Sequence, residues 1–208
     1  MNQNPEIGNE TVTESPKNGG FNILAGLLDY VEIFVVAITA VLLLFTFGLR
    51  MCMVDGGSMK NTLQNTERLV TTNFFYEPKQ GDIIVFHLVN DNYKKPLVKR
   101  VIATEGQTVE IDLTDKEVFV DGVLLDEPYV YLEGGVYNPY GYFDPNRVSV
   151  DADGHTVFTD TVPEGMIFVM GDNRNHSSDS RSAGVGLVDA DCVIGKALFR
   201  LQPFTVFD

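Results

Sequence analysis

DIIVFHLV (residues 82–89), VKRVIAT (98–104) and TVEIDL (108–113) decide how this chain folds. Each run is short, rich in Val and Ile, and set off from the next by polar residues, which is the pattern of strands. EVFVDGVLL (117–125) and GMIFVM (165–170) repeat it, with turn pairs at Asp121-Gly122, Gly134-Gly135 and Asp153-Gly154. No stretch after Arg50 sustains a helical period. Closely spaced strands without intervening helices predict a mainly β, antiparallel, barrel-like or sandwich-like domain. The Tyr-, Gly- and Asp-rich stretch 130–161 is less regular and reads as an inserted hairpin and loop.

Ahead of the strands the composition changes. IFVVAITAVLLLFTFGL (33–49) carries no charge, and apolar character reaches back to Ile23, interrupted by Asp29 and Glu32. A bilayer-spanning helix needs ~20 mostly apolar residues, with ~17 as the lower bound. The run is apolar on every face, unlike a core helix with one buried stripe. It is too long for a cleaved signal peptide and lacks the basic segment that would precede one. An uncleaved membrane anchor over 21–50 is predicted, extended on one side by the apolar residues 51–54. Residues 1–20 hold almost no large apolar group and are predicted to be a disordered tail. The organisation expected is therefore tail (1–20), anchor (21–50) and β-rich domain (51–208). Lys17 precedes the anchor while Arg50 and Lys60 follow it, so the positive-inside rule taken alone puts the later part of the chain inside.

The net charge of −14 argues against a nucleic-acid partner, whose phosphates it would repel. Cys52 and Cys192 form no paired motif and read as two free, buried thiols, with a single disulfide as the alternative. With His87, His155 and His176 they lack the spacing of a zinc site, so neither a metal nor a cofactor is expected.

Chemistry concentrates in three places. Ser58 lies in VDGGSMKNTL (54–63), Lys99 opens KRVI (99–102), and a dense polar block, GDNRNHSSDSR, spans 171–181. A serine needs a base within hydrogen-bond reach before it becomes a useful nucleophile. Lys99 sits among Val98, Val101 and Ile102, where desolvation would bring its amine from ~10.4 toward the ~7–8 of a working base. Lys60 is the other lysine at hand, but the S-x-x-K arrangement needs the lysine where Asn61 stands, so Lys60 reads as solvent-facing. His87 and His176 read as structural or surface residues rather than as a triad base.

Together these segments resemble the type I signal peptidases, membrane-bound serine–lysine proteases that remove signal peptides from exported proteins. The family's S-M-x-P-T-L is met by SMKNTL (58–63) and its [RK]-G-D-I-V-V-F by QGDIIVF (80–86). K-R-V-I-G-x-x-G-D is met by KRVIATEGQ (99–107), and G-D-N-R-x-x-S-x-D-S-R at every fixed position of 171–181. Asn61 stands where the family has proline, and Ala103 and Gln107 where it has Gly and Asp.

The resemblance implies Ser58 as nucleophile, Lys99 as general base and Ser177 as the hydroxyl orienting the lysine. It makes Asp179 and Arg181 a structural ion pair, with Asp172 and Arg174 holding the same loop. The Ser58 amide would bind the oxyanion within the Gly56-Gly57-Ser58 backbone. Gly56 stands where some members supply a serine hydroxyl as second donor, so a backbone group or water must serve. Met59 and Val98 are candidates to line pockets for the small side chains that end a signal peptide. Implied partners are signal peptides of exported preproteins and membrane lipid. The implied place is the plasma membrane, single-pass, with the catalytic domain extracytoplasmic and residues 51–54 dipping toward the bilayer. A self-cleaving repressor-type protease would be soluble with a DNA-binding domain, against the anchor and the acidic charge. A catalytically dead binding domain would have no need of Ser58, Lys99 and Ser177 together.

Overall fold

Helix α1 (Ile23–Leu43) is the long helix of the residues described by the computed structural model, which are 23–88, 93–132 and 143–207. The tail 1–20 and the Gly134-Gly135 turn lie outside them. The window Gly26–Leu43 is long and apolar enough to cross a membrane, and none of it is buried within the protein. A π-helical turn, Leu44–Gly48, ends the helix, and the chain enters β1 (Arg50–Met53) directly. Residues 51–53 therefore do not lengthen the helix. Their backbone pairs with β2 (Arg68–Thr72) instead, Met51 opposite Val70 and Met53 opposite Arg68.

Two compact units divide at Leu42. The second contains all the strands. After β2 come β3 (Ile83–Phe86), β4 (Leu97–Thr104), β5 (Thr108–Asp112), β6 (Glu117–Val120) and β7 (Val123–Leu124). Then follow β8 (Val148–Val150), β9 (Thr156–Thr161), β10 (Met166–Met170), β11 (Val188–Asp189), β12 (Val193–Leu201) and β13 (Phe204–Val206). They form two antiparallel sheets: β1-β2-β12-β3-β4-β10-β11, with β13 paired to β12, and β7-β6-β5-β9-β8. Residues 148–161 thus supply the β8–β9 hairpin that completes the smaller sheet, rather than an appendage to it. The Asp121-Gly122 turn joins β6 to β7 with both residues at positive φ, 53° and 76°, the geometry that matches strand twist.

β4 is the hinge between the sheets. It pairs with β3 and β10 in the larger one, and a tight turn at 105–107 delivers it into β5 of the smaller one. Gln107 closes that turn by accepting the Thr104 amide at 2.9 Å. One core cluster, with Ile102, Val109, Ile111, Phe158 and Phe168, is filled from both sheets. A second gathers Ile84, Phe86, Val101 and Val169, and a third joins Val54, Met59, Leu63, Leu69 and Ile83. Each such fully buried aliphatic or aromatic side chain contributes about 1.5–3 kcal/mol. Cys52 and Cys192 are free and half-buried at the margins of the third and second clusters, less enclosed than the sequence reading expected.

Candidate active site

Between β1 and β2 the chain makes a tight turn pinned at its base by Val54 N–H to Glu67 O (2.8 Å) and Thr66 N–H to Val54 O (2.9 Å). Gly56 sits at φ +108°, a conformation that suits a residue without Cβ. Beyond it, Met59 and Leu63 are driven into the third core cluster and linked by Leu63 N–H to Met59 O at 2.7 Å. These anchors leave Ser58 half-buried between an exposed glycine and a core methionine.

The base comes from β4. Lys99 lies opposite Ile84 in the ladder, so by pleat alternation it shares a face with Ile84 and Val101 of the second cluster. It is 2% exposed. Its Nζ donates to Ser58 Oγ at 2.7 Å and to Val98 O at 3.1 Å. Burial pushes the amine down from an ordinary 10.5 to about 8. Asp179 and Asp172 pull it up and Arg181 pushes it down, each by less than burial does.

The third part is the loop 171–181, buried almost throughout. Arg181 grips Asp179 with two nitrogens, Nε at 2.7 Å and Nη2 at 2.8 Å, both side chains fully buried. Burial alone would push the Asp179 carboxyl up; the Arg181 guanidinium outweighs it, helped by Ser177 and the Gly171 amide, and holds it below its ordinary range. Asp172 and Arg174 hold the loop through separate partners. Arg100 Nε and Nη2 bind the two oxygens of Asp172 at 3.0 and 2.7 Å, while Arg174 binds Glu127. Ser177 is fully buried, yet its Oγ makes no hydrogen bond of ordinary length. It stands near enough to Asp179 to favour the ionised form, but it makes no hydrogen bond to the Lys99 amine, which donates to Ser58 Oγ and Val98 O.

A serine hydroxyl hydrogen-bonded to a buried, partly discharged lysine is nucleophile chemistry of the serine–lysine kind. The model of the family described as "Signal peptidase, peptidase S26" matches residues 27–202 of this chain. The chain belongs to the signal peptidase family. Signal peptidase I of Bacillus licheniformis is 34% identical over 185 residues, covering 86% of this chain and 90% of that protein. Signal peptidase I S of Bacillus subtilis (strain 168) is 33% identical over 186 residues, with 86% and 90% covered. Signal peptidase IB of Staphylococcus aureus (strain Mu50 / ATCC 700699) is 32% identical over 186 residues, with 87% and 92% covered. A solved signal peptidase I from Enterococcus faecalis V583 is 32% identical and covers 58% of this chain and 97% of its own, with a TM-score of 0.42. As a type I signal peptidase the protein is a serine endopeptidase.

Within a signal peptidase the remaining residues find definite places. Gly56 is not a backbone donor for an oxyanion, because its N–H is already given to Asn65 Oδ1 at 2.9 Å. The amides of Gly57 and Ser58 donate to no group among the described residues. Met59, at 1% exposure, is a core residue with almost no surface to offer a substrate, whereas Val98 is half-buried beside it. Lys60 is half-buried rather than solvent-facing, its Nζ 5.0 Å from the centre of the Tyr131 ring. His87 and His176 are exposed. Asn61 lies at φ +66°, which asparagine tolerates and proline, locked near −65°, cannot reach.

Two residues of the polar block escaped the sequence reading. Asn173 donates its N–H to Ser58 O at 2.9 Å and its Nδ2 to Gly57 O at 3.0 Å, tying the loop to the nucleophile turn. A Cβ on Gly171 would overlap Ser177 Oγ and stand 2.5 Å from Ser58 O, so the glycine makes room for the site. Only their place in the motif hinted at either role. Outside the site, Asp112, Asp115 and His155 bring ligand-type atoms within 4.8 Å of one another in the smaller sheet. The His155 ring hydrogen-bonds Asp112 at 2.6 Å there.

Proposed function

We propose that Ser58 is the nucleophile and Lys99 the general base of an anchored endopeptidase that cleaves signal peptides of exported preproteins after small, Ala-x-Ala-like residues. The observation that carries this reading is the 2.7 Å hydrogen bond between Ser58 Oγ and an amine that burial has brought to about 8. At pH 7 about one such amine in ten is neutral. The neutral amine takes the Ser58 proton as Oγ attacks the scissile carbonyl. The resulting oxyanion is met by the Ser58 amide, with the Gly57 amide as the second donor in place of a side-chain hydroxyl. The Lys99 ammonium then protonates the leaving amine, and the acyl-enzyme is hydrolysed by water that gives its proton to the Lys99 amine, now neutral again. Ser177, fully buried beside Asp179, is placed by the family motif to orient the lysine amine.

The organisation proposed is a membrane anchor within 21–50 and a catalytic domain, 51–208, on the extracytoplasmic side of the plasma membrane. The apolar, unburied helix α1 supports it, as does a sheet face in which Met51, Val70, Phe199 and Val206 lie in register across β1, β2, β12 and β13. Met51 is 71% exposed and Val206 59%, an apolar surface suited to lipid.

The test is cleavage of an Ala-x-Ala precursor by the detergent-solubilised protein beside Ser58→Ala and Lys99→Ala. Loss in both variants, with a wild-type rate that rises through pH 8 as the amine discharges, is expected. Equal cleavage by either variant would sink the assignment.

A further inference from the structure

The sequence EPYVY (127–131) leaves the smaller sheet after β7 and meets three separate parts of the site without touching Ser58 or Lys99. Glu127 takes Arg174 of the polar loop in a two-toothed grip, Nη1 at 3.0 Å and Nη2 at 2.5 Å. The Arg174 side chain is buried at 1% exposure and that of Glu127 is largely covered at 10%. Tyr129 donates its hydroxyl to Glu127 at 3.1 Å and lays its ring 3.8 Å from the guanidinium of Arg100, the residue that follows Lys99 on β4. Tyr131 makes a parallel bridge with Asn173, donating to Asp172 O at 2.8 Å and accepting from Arg174 N–H at 3.1 Å. Its ring receives Lys60, two residues past the nucleophile.

We propose that 127–131 is a clamp, with Glu127 and Tyr129 as positioning residues. It holds the nucleophile turn, the lysine strand and the loop 171–181 at the spacing that the Ser58–Lys99 hydrogen bond needs. The inference rests on the serine–lysine reading above. Its physical basis is leverage. The two reacting groups come from different elements, and a displacement of ~1 Å in such a pair costs ~10²-fold in rate. A planar guanidinium held by a carboxylate at two points, or stacked on a ring, fixes orientation as well as distance. Buried pairs of this kind add little net stability, so their contribution here is geometry.

The test compares Glu127→Gln, Tyr129→Leu and Tyr129→Phe in the full-length, detergent-solubilised protein on an Ala-x-Ala precursor. Glu127→Gln and Tyr129→Leu are expected to lower kcat by ~10- to 100-fold with KM within about twofold. The rise of rate with pH should also move to higher pH. Asp179, Arg181 and Asp172 still act on the Lys99 amine, but a loosened niche readmits water and weakens the burial that dominates them. Tyr129→Phe keeps the ring over Arg100 and should retain most activity. If Glu127→Gln does not fold, the Tyr129→Leu and Tyr129→Phe pair carries the comparison. A kcat within about twofold of wild type in the folded variants overturns the clamp. So does a rate that falls equally at every pH together with melting temperature, which reports fewer folded molecules. A parallel Ser58→Ala control separates the two readings. If it still cleaves, the reaction assignment fails; if it is inactive while Tyr129→Leu is fully active, only the clamp fails.

Discussion

In the proposed mechanism Lys99 serves catalysis at the expense of stability. Its folded amine lies near 8, below the ordinary 10.5 of an unfolded lysine. Below pH 8 both states are charged and the folded state bears the whole desolvation cost. Between pH 8 and 10.5 the folded state sheds its proton first, so stability recovers as pH rises. Lys99→Met is therefore expected to abolish cleavage yet raise stability at pH 7 by about 1–3 kcal/mol, an advantage that fades above pH 10. Denaturant melts of both proteins across pH 7–10.5 check it; a constant difference would refute the burial account. Gly171 makes the complementary point about space. A methyl group there would overlap Ser177 Oγ and stand 2.5 Å from Ser58 O, so Gly171→Ala must push the Ser58 backbone and the Ser177 side chain apart. A loss of ~10²-fold in kcat is expected, together with a lowered melting temperature because backbone must give way.

At the level of elements, the nucleophile turn shows how a departure from the family pattern is absorbed. Proline at position 61 would need φ near −65°, but the backbone there stands at +66°. Asn61→Pro is expected to destabilise the protein by about 2–3 kcal/mol, whereas Asn61→Gly should be neutral in thermal melts. The strands themselves were legible where Val and Ile ran together: β3, β5, β6 and β10 lie inside the quoted segments, and β4 overruns its own by one residue. β1 was not, because RMCM (50–53) continues an apolar run and only its pairing with residues 68–71 makes it a strand. β8 and β9 were hidden in polar sequence and exist because β5 offers β9 an edge and β9 in turn carries β8. At the site, Ser58, Lys99 and the loop 171–181 could be named from motifs. Asn173 as the tie to Ser58, and Asn65 as the group that occupies the Gly56 amide, could not, since each depends on a contact between distant segments.

Across the whole molecule, the apolar face of β1, β2, β12 and β13 is built by register, with Met51, Val70, Phe199 and Val206 aligned and Phe204 stacked 5.7 Å from Phe199. Met51, Met53 and Phe204 are 71%, 62% and 69% exposed, an apolar surface of the kind that lipid can cover. Replacing Met51, Met53 and Phe204 together by serine is expected to slow cleavage of a vesicle-embedded precursor several-fold, while cleavage of a soluble peptide in detergent stays within about twofold. Equal slowing of both substrates would show that the face serves the fold rather than the membrane. By itself, the sequence determined the apolar helix, the β-rich domain and the reacting groups, because hydrophobic pattern and residue chemistry are local properties. Tertiary structure decided that Lys99 is buried against Ser58, that Ser177 makes no hydrogen bond to it, and that 127–131 meets Arg174, Arg100 and Asn173. Those outcomes depend on desolvation and on angstrom-scale distances between segments that meet only when the chain is folded.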